Sequence, residues 1–247
     1  MKTSAVLFRY RMVINLAIVV LGFWAPWIQF WGIGTRISLL EWLALELSRT
    51  GLLSFTIATP VVILSGALIA FIGAVLRVWG SAWLGHGVVI HTQMQAGSLV
   101  ADGPYRYMRN PLYLGIACMF AALALIMPAS GALFVLVAVP LFHFSLILAE
   151  EAFLTARFGE PYQIYLRSVP RLIPRLRTHV TPSGNKPHWL QGLLSEITPI
   201  GVLFTIAVLS WTYDTRLMDR AVAVSFGVSL VVRAFMPGLQ QSSNSPE

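Results

Sequence analysis

This sequence contains few charged residues. Aspartate, glutamate, lysine and arginine make up 11% of the 247 residues, whereas 57% of the residues are hydrophobic. An ordinary soluble domain carries about 25% charged residues, and so apolar a chain could not cover its surface with polar groups. The shortage of charge therefore excludes a soluble globule. The abundance of apolar residues also excludes a disordered chain.

Other absences narrow the chemistry. Cys118 is the single cysteine, which excludes a disulfide framework. No histidine and cysteine cluster has the spacing of metal ligands, so no metal site is predicted. The chain has no GxGxxG motif behind a strand and no serine nucleophile elbow, which excludes soluble nucleotide-binding and hydrolase folds of those kinds.

The sequence contains several long apolar segments. Each is near the ~20 residues that a helix needs to cross a bilayer. They predict an all-α integral membrane bundle of about six transmembrane helices, with the second segment long enough to tilt, bend near Pro60 or project beyond the bilayer. The segments are residues 12–31, 52–84, 111–127, 131–149, 193–211 and 221–236.

The distribution of positive charge predicts the orientation. With the N-terminus in the cytosol, only Arg36, Arg49, Arg216 and Arg220 of the 17 lysines and arginines face outward, Arg77 lies inside a span, and the remaining 12 face the cytosol. This asymmetry is typical of positive-inside topology. We therefore expect a multi-pass protein of the plasma or inner membrane, if the source is prokaryotic, with both termini cytosolic. A basic balance can indicate nucleic-acid binding. Here the charges lie between apolar segments, so we interpret them as positive-inside loops and predict no nucleic-acid partner.

The second span carries small residues at helical spacing, namely Gly66, Ala70, Gly73 and Gly80. Positions three and four apart share a face, so the stripe predicts a close contact with a neighbouring helix. Arg77 lies on the same stripe and should point into the bundle. An arginine inside a membrane is costly and is a functional candidate, although its side chain could also reach the cytosolic interface.

His143 lies in the fourth span, seven residues before Glu150, on the same helix face. Two interpretations are open. The histidine could take part in a proton relay with the glutamate. It could instead be a buried side chain that is hydrogen-bonded to a neighbouring helix, and this second interpretation is favoured.

One polar segment, DGPYRYMRNPLYLG at residues 102–115, precedes the third span. Gly103-Pro104 predicts a turn. Arg106 and Arg109 follow, three residues apart, directly before the predicted start of a helix. Two guanidinium groups beside a helix N-terminus can bind an anion.

The helix start itself is predicted from Asn110 and Pro111. Asparagine is a favourable N-cap, and proline is favourable at the first helical position. Without a ligand, the segment would be a capped helix with arginines and tyrosines at the membrane interface.

A second polar segment, AEEAFLTARFGEPYQIYLRSVPRLIP at residues 149–174, follows the fourth span. Glu150 and Glu151 lie at a helix C-terminus, where the helix dipole favours cations and disfavours carboxylates. We therefore expect a compensating positive group, either an arginine of the first segment or a cationic ligand. Tyr162 adds an aromatic face to this segment.

Together the two segments resemble the isoprenylcysteine carboxyl methyltransferase and phospholipid methyltransferase superfamily. These are integral membrane enzymes that use S-adenosylmethionine. The similarity includes LRVWGSAWLG at residues 76–85 and extends over about residues 60–175. One departure is Arg109-Asn110-Pro111, where the family often has Arg-His-Pro. Asn110 can replace a histidine that only anchors the cofactor, but it cannot replace one that moves a proton.

The resemblance implies a cofactor pocket over the cytosolic ends of the third and fourth spans. Either glutamate would pair with the amino group of S-adenosylmethionine, Asn110 would hold its carboxylate, and three tyrosines would frame its adenine or ribose. The implied cofactor-binding residues are Gly103, Pro104, Tyr105, Asn110, Pro111, Tyr113, Glu150, Glu151 and Tyr162. The implied catalytic residues, which would orient a carboxylate, are Arg77, Arg106 and Arg109.

The implied reaction is methyl transfer to a lipid-like acceptor from the bilayer. A carboxylate acceptor of the isoprenylcysteine type is favoured over a phospholipid amine, because three arginines can orient it. A membrane reductase that uses NADPH, a transporter and a non-catalytic scaffold are the other classes. The implied organisation is an N-terminal helix and external loop at 1–51, the methyltransferase core at 52–175 and a C-terminal hairpin of unassigned role at 176–247; no oligomeric state is predicted.

Overall fold

The computed structural model describes residues 2–24, 37–84, 101–177, 180–182 and 186–212, and a few positions between 220 and 232. Every regular element in these ranges is a helix. The predicted span at 221–236, the loop at 85–100 and the positions of Arg36 and Arg216 lie largely or wholly outside them. The helices are α1 Lys2–Arg9, α2 Arg11–Trp24, α3 Leu39–Arg49, α4 Phe55–Leu84, α5 Pro111–Ala124, α6 Ala129–Phe158, α7 Glu160–Ser168, α8 Trp189–Ser195 and α9 Ile197–Thr212, with a 3-10 helix at Gly103–Arg106.

Two helices, α4 and α6, are long and apolar enough to cross a membrane, at 30 residues each. In the most apolar stretch of each, 33% of the residues are buried within the protein, so most of this stretch faces outward, as lipid-facing helices do. Helix α4 continues through Pro60 without a break. The described residues confirm an all-helical fold with two helices that are long and apolar enough to span a membrane. The total of about six spans remains a prediction.

The small-residue stripe of α4 is the surface on which α5 packs. A Cβ on Gly73 would lie 2.7 Å from the carbonyl oxygen of Gly115, and a Cβ on Gly80 would lie 2.8 Å from Leu112. The helices therefore approach at a separation that only glycine permits. The close helix contact predicted from the stripe is confirmed, and Arg77 lies beside it: its Cγ would be 2.6 Å from a Cβ on Gly115.

The end of the bundle opposite the two polar segments is closed by backbone hydrogen bonds. Leu39 N donates to Met127 O at 2.8 Å, which joins the start of α3 to the turn between α5 and α6. Ser38 caps α3 by accepting a hydrogen bond from the backbone of Glu41. Part of the predicted external loop is therefore a helix, because a serine cap followed by an amphipathic run stabilises one here.

The fifth predicted span is interrupted. The sequence predicts one helix over 193–211, but α8 ends at Ser195 and α9 begins at Ile197, with Glu196 at the break. Both helices pack against α4. On α8, Gly192 lies so close to α4 that a Cβ would be 2.7 Å from the backbone nitrogen of Ala82. A fully buried glutamate at this point explains the break, because its side chain must reach polar partners.

Candidate active site

The two polar segments lie side by side at one end of the bundle. Backbone hydrogen bonds join them: Arg109 N donates to Pro170 O at 2.9 Å, and Asn110 N donates to Arg171 O at 3.2 Å. These bonds hold the chain before α5 against the chain after α7. The juxtaposition expected from the resemblance is therefore present in the structure.

The Gly103-Pro104 turn forms the 3-10 helix before α5. Gly103 has φ +54°, and a Cβ there would collide with the ring of Trp83 on α4. Glycine is required on both counts. Pro104 and Tyr105 are buried, and the hydroxyl of Tyr105 donates to Gly80 O at 3.4 Å. These three predicted cofactor residues thus fix the turn against α4.

Tyrosines pack the second segment against this turn. The hydroxyl of Tyr165 donates to Tyr105 O at 2.8 Å, and its ring lies 5.8 Å from that of Tyr162. Removal from water raises the pKa of Tyr105, Tyr162 and Tyr165, and nearby Glu150 and Glu151 add to the effect. All three phenols are therefore protonated at neutral pH. Tyr162 is 3% exposed, so its ring is part of the core beneath the site.

Glu151 is the centre of an ion-pair cluster. Arg171 binds it with two hydrogen bonds, at 2.7 and 3.1 Å, and Arg109 Nε lies 3.4 Å from the same carboxylate. The hydrogen bonds with Glu151 are also the largest reason that the pKa of Arg171 is raised. Helix α6 continues to Phe158, so both glutamates lie about two turns before the helix C-terminus at which they were predicted. The positive groups that compensate Glu151 are one arginine of each segment.

Arg171 is absent from the predicted site residues. Its position in the sequence, among several arginines near the membrane interface, gave no reason to prefer it over Arg167 or Arg175. The signal that could have found it is the proline before it. Pro170 ends the α7 region and turns the chain back toward α5.

Glu150 has a different environment from Glu151. Consecutive helix residues point about 100° apart, so the two carboxylates cannot share one partner set. Glu150 accepts a hydrogen bond from the hydroxyl of Tyr113 at 3.0 Å. Within the described residues this is its single hydrogen bond, and the charge of Arg11 on α2 also acts on this partly buried carboxylate.

Asn110 occupies the N-cap position of α5, and Pro111 is the first helical residue, as predicted. The amide of Asn110 makes no capping bond. It donates from Nδ2 to Arg171 O at 3.2 Å instead, and this leaves its oxygen as an acceptor. The asparagine therefore ties the first segment to the second.

The three predicted catalytic arginines are all bound by protein groups. Arg77 forms an ion pair with Glu196, Arg106 Nε donates to Val180 O at 3.0 Å, and Arg109 Nη1 donates to Leu166 O at 3.0 Å, in addition to its contact with Glu151. They do not converge on one point as free guanidinium groups. Glu196 was missed because it lies 119 residues from Arg77 in the sequence.

His143 is buried at 4% exposure and its Nε2 lies 3.1 Å from Asn15 Oδ1 on α2. This is the favoured interpretation, a histidine bonded to a neighbouring helix. Its ring lies 5.8 Å from that of Tyr113, which in turn binds Glu150. The histidine makes no direct hydrogen bond to the glutamate.

One buried donor near the site, Trp83 Nε1, lacks an acceptor among the described residues. Buried N–H groups are rarely left unpaired in native proteins, so this nitrogen suggests a missing acceptor. In the same residues, no group of three or more histidine, cysteine, aspartate or glutamate side chains could hold a metal ion.

Comparison with known families agrees with the two motifs. Residues 61–161 match the model of the phospholipid methyltransferase family. The match spans α4 from its second turn, both polar segments up to the start of α7, and the core helices between them. It confirms the resemblance predicted from the motifs and supports an enzyme of the methyltransferase kind. No curated protein and no solved structure is significantly similar to the chain.

Proposed function

We propose, from the phospholipid methyltransferase match over residues 61–161, that this protein transfers a methyl group from S-adenosylmethionine to a lipid that enters from the bilayer. The observation that carries the proposal is that the two adjacent glutamates have different partners. Glu151 forms ion pairs with two arginines, whereas Glu150 accepts its one hydrogen bond among the described residues from the neutral hydroxyl of Tyr113, with the charge of Arg11 nearby. A partly buried carboxylate with one neutral donor is a suitable partner for a cationic ligand.

The residues present fit the cofactor. S-adenosylmethionine carries an ammonium group, a carboxylate, ribose hydroxyls and a sulfonium. Glu150 would accept from the ammonium group. The unpaired donor Trp83 Nε1 offers a hydrogen bond to its carboxylate or hydroxyls. The ring of Tyr113 adds an aromatic face, which suits a sulfonium cation.

When bound, the cofactor supplies an electrophilic methyl group that a nucleophile can attack in line. The contribution of this chain is alignment and exclusion of water. Alignment alone can supply several kcal/mol of the barrier reduction, about 7–11 kcal/mol in the best cases. The hydrogen bonds between the two segments, together with the Glu151 cluster, provide the rigid support that such alignment requires.

An amine headgroup is the acceptor that we favour. The sequence favoured a carboxylate because Arg77, Arg106 and Arg109 could orient it, but each of these arginines is engaged by a protein group. Less positive charge is then left for an anionic acceptor. The family description, which names phospholipids, points the same way.

A carboxylate acceptor remains the second candidate, and one observation supports it. Arg106 uses only Nε in its hydrogen bond to Val180, so its two terminal nitrogens can still bind an anion. An ester product and an N-methyl product differ in stability to alkali, and this difference separates the candidates.

The test uses the full-length protein in lipid nanodiscs. Binding of S-adenosylmethionine is measured first, with NADPH as the competing cofactor. Methyl-labelled cofactor is then added with membrane lipids, and the products are treated with alkali. We expect binding of S-adenosylmethionine but not NADPH, and label that stays with phospholipid. Release of the label as methanol would favour the carboxylate. Binding of NADPH alone would refute the proposal.

A further inference from the structure

Glu196 lies at the break between α8 and α9, in a part of the chain that the family match does not reach. Its side chain is completely buried. Two donors on α4 bind its carboxylate, Arg77 Nε at one oxygen and Ser81 Oγ at the other. Because burial of an unpaired carboxylate is very costly, these partners determine where Glu196 and the guanidinium group can lie.

The C-terminal segment is fixed in register against α4 around this ion pair. His188 N donates to Ala82 O at 2.8 Å, and Gly192 packs directly on the backbone of Ala82. Both contacts are made at Ala82, the residue directly after Ser81. The position of Glu196 relative to Arg77 is therefore set by backbone contacts as well as by charge.

From Arg77 the contacts continue to the candidate site. Its Nη1 donates to the carbonyl of Leu112 at 3.4 Å, in the first turn of α5. The next residue is Tyr113, whose hydroxyl binds Glu150. A continuous series of contacts thus runs from Glu196 through Arg77 and the start of α5 to the carboxylate of Glu150.

We propose that Glu196 is a positioning residue: through Arg77 it holds the first turn of α5 so that Tyr113 presents Glu150 to the cofactor. The C-terminal segment, through Glu196, would then contribute to the geometry of the cofactor site. This inference rests on the proposed function, because the ligand of Glu150 is taken to be S-adenosylmethionine. Arg77 acts here as a link between helices.

The test compares Glu196→Gln with Glu196→Asp in the full-length protein in nanodiscs. Gln keeps the volume and removes the charge, whereas Asp keeps the charge. Glu46→Gln is the matched control, because Glu46 forms an exposed ion pair with Arg49 on α3, far from the site. Two quantities are measured: the KM for S-adenosylmethionine against kcat, and the rate at which N-ethylmaleimide labels Cys118.

Cys118 reports the fit of α5 against α4 without any reference to activity. It is the single cysteine of the chain, and its Cβ would lie 3.0 Å from a Cβ on Gly73. If the ion pair holds α5 in place, its loss should expose the thiol more often. Labelling should become several-fold faster in Glu196→Gln and stay unchanged in Glu46→Gln.

We expect Glu196→Gln to raise the KM for the cofactor about 10-fold with kcat within about twofold, because the lost contact weakens cofactor binding equally in the ground state and the transition state. Glu196→Asp should recover part of that affinity. A variant that is merely less stable would lower kcat through a smaller active fraction and leave KM unchanged, and this result would overturn the proposal. So would wild-type values of KM and labelling in Glu196→Gln.

Two further outcomes are separable. If the wild-type protein binds no S-adenosylmethionine, the proposed function fails, and the link to the cofactor fails with it; the labelling rate still decides whether Glu196 holds α5. If Glu196→Gln does not fold, Ser81→Ala removes one donor from the same carboxylate. It should give smaller changes in the same direction, and no change in KM or labelling would contradict the inference.

Discussion

Glu151 binds Arg171 through both carboxylate oxygens, although 20 residues and the end of a helix separate them. The bidentate pair fixes the planar guanidinium group, whose backbone carbonyl also receives the side-chain amide of Asn110. One ion pair therefore secures the chain before α5 to the chain after α7. The adjacent Glu150 takes no part in this ion pair and binds Tyr113 instead.

The two glutamates should respond differently to the same substitution. Glu151→Gln leaves two arginines without their carboxylate, so we expect the free energy of unfolding to fall by about 2–3 kcal/mol. This is somewhat less than for a fully buried pair, because the side chain of Arg171 is 35% exposed. Glu150→Gln should leave stability nearly unchanged and weaken cofactor binding about 10-fold, the loss of one charge-assisted hydrogen bond.

Unfolding in detergent and cofactor titration measure the two effects. Glu160→Gln is the control, because Glu160 is an exposed glutamate at the same end of the bundle. Equal effects of Glu150→Gln and Glu151→Gln on both quantities would contradict the assignment of cofactor binding to Glu150 and of stability to Glu151.

Gly103→Ala should destabilise the turn before α5 for two reasons, a positive φ and a collision with Trp83. Gly159→Ala separates them, because Gly159 also has a positive φ, of +62°, but a Cβ there would meet nothing within 4 Å. We expect a loss of about 1 kcal/mol at Gly159, from backbone strain alone, and at least about 2 kcal/mol at Gly103. Similar midpoints of thermal unfolding for the two variants would mean that Trp83 moves aside at little cost.

Alkaline pH should destabilise the protein through the buried phenols of Tyr105, Tyr162 and Tyr165. Their pKa values are raised in the folded state, so the unfolded chain releases these protons first as the pH rises above about 10. Stability contributed by the protonated phenols is present below that pH and decreases above it. Tyrosinate absorbance should show late titration in the folded protein, which becomes normal in denaturant. Replacing Tyr165 with Phe should reduce the late fraction.

The orientation of the helices is open to a direct test. Reporter fusions after residue 130, at the start of α6, and after residue 180, beyond α7, should fall on opposite sides of the membrane, with the second in the cytosol. In this predicted layout α6 crosses the membrane once between these points, so finding both reporters on one side would exclude it.

The sequence was sufficient for the long helices α4 and α6, the glycine contact and the meeting of the two motifs, because these follow from apolar length, small residues and a known pairing of segments. It did not predict helix α3 or the break between α8 and α9. It could not assign ion pairs. Which of two adjacent glutamates faces Arg171 depends on the rotation of α6, and periodicity sets that rotation no more finely than a helix face. The ion pair of Glu196 could not be predicted from the sequence for a second reason. Nothing local distinguishes a glutamate at a helix break from one in an exposed loop.

The length of α6 has a consequence for where products would accumulate. Its 30 residues extend about 45 Å, against about 30 Å for the hydrocarbon core, and Glu150 lies about 32 Å from its first residue. With the first residue of α6 at the opposite boundary of the hydrocarbon core, the proposed site would lie at the phosphate level of one leaflet. An acceptor lipid would need only to turn its headgroup toward the protein and would never cross the bilayer midplane. Methylation would then begin as a leaflet-specific change, and the opposite leaflet would gain the product only through separate lipid flipping.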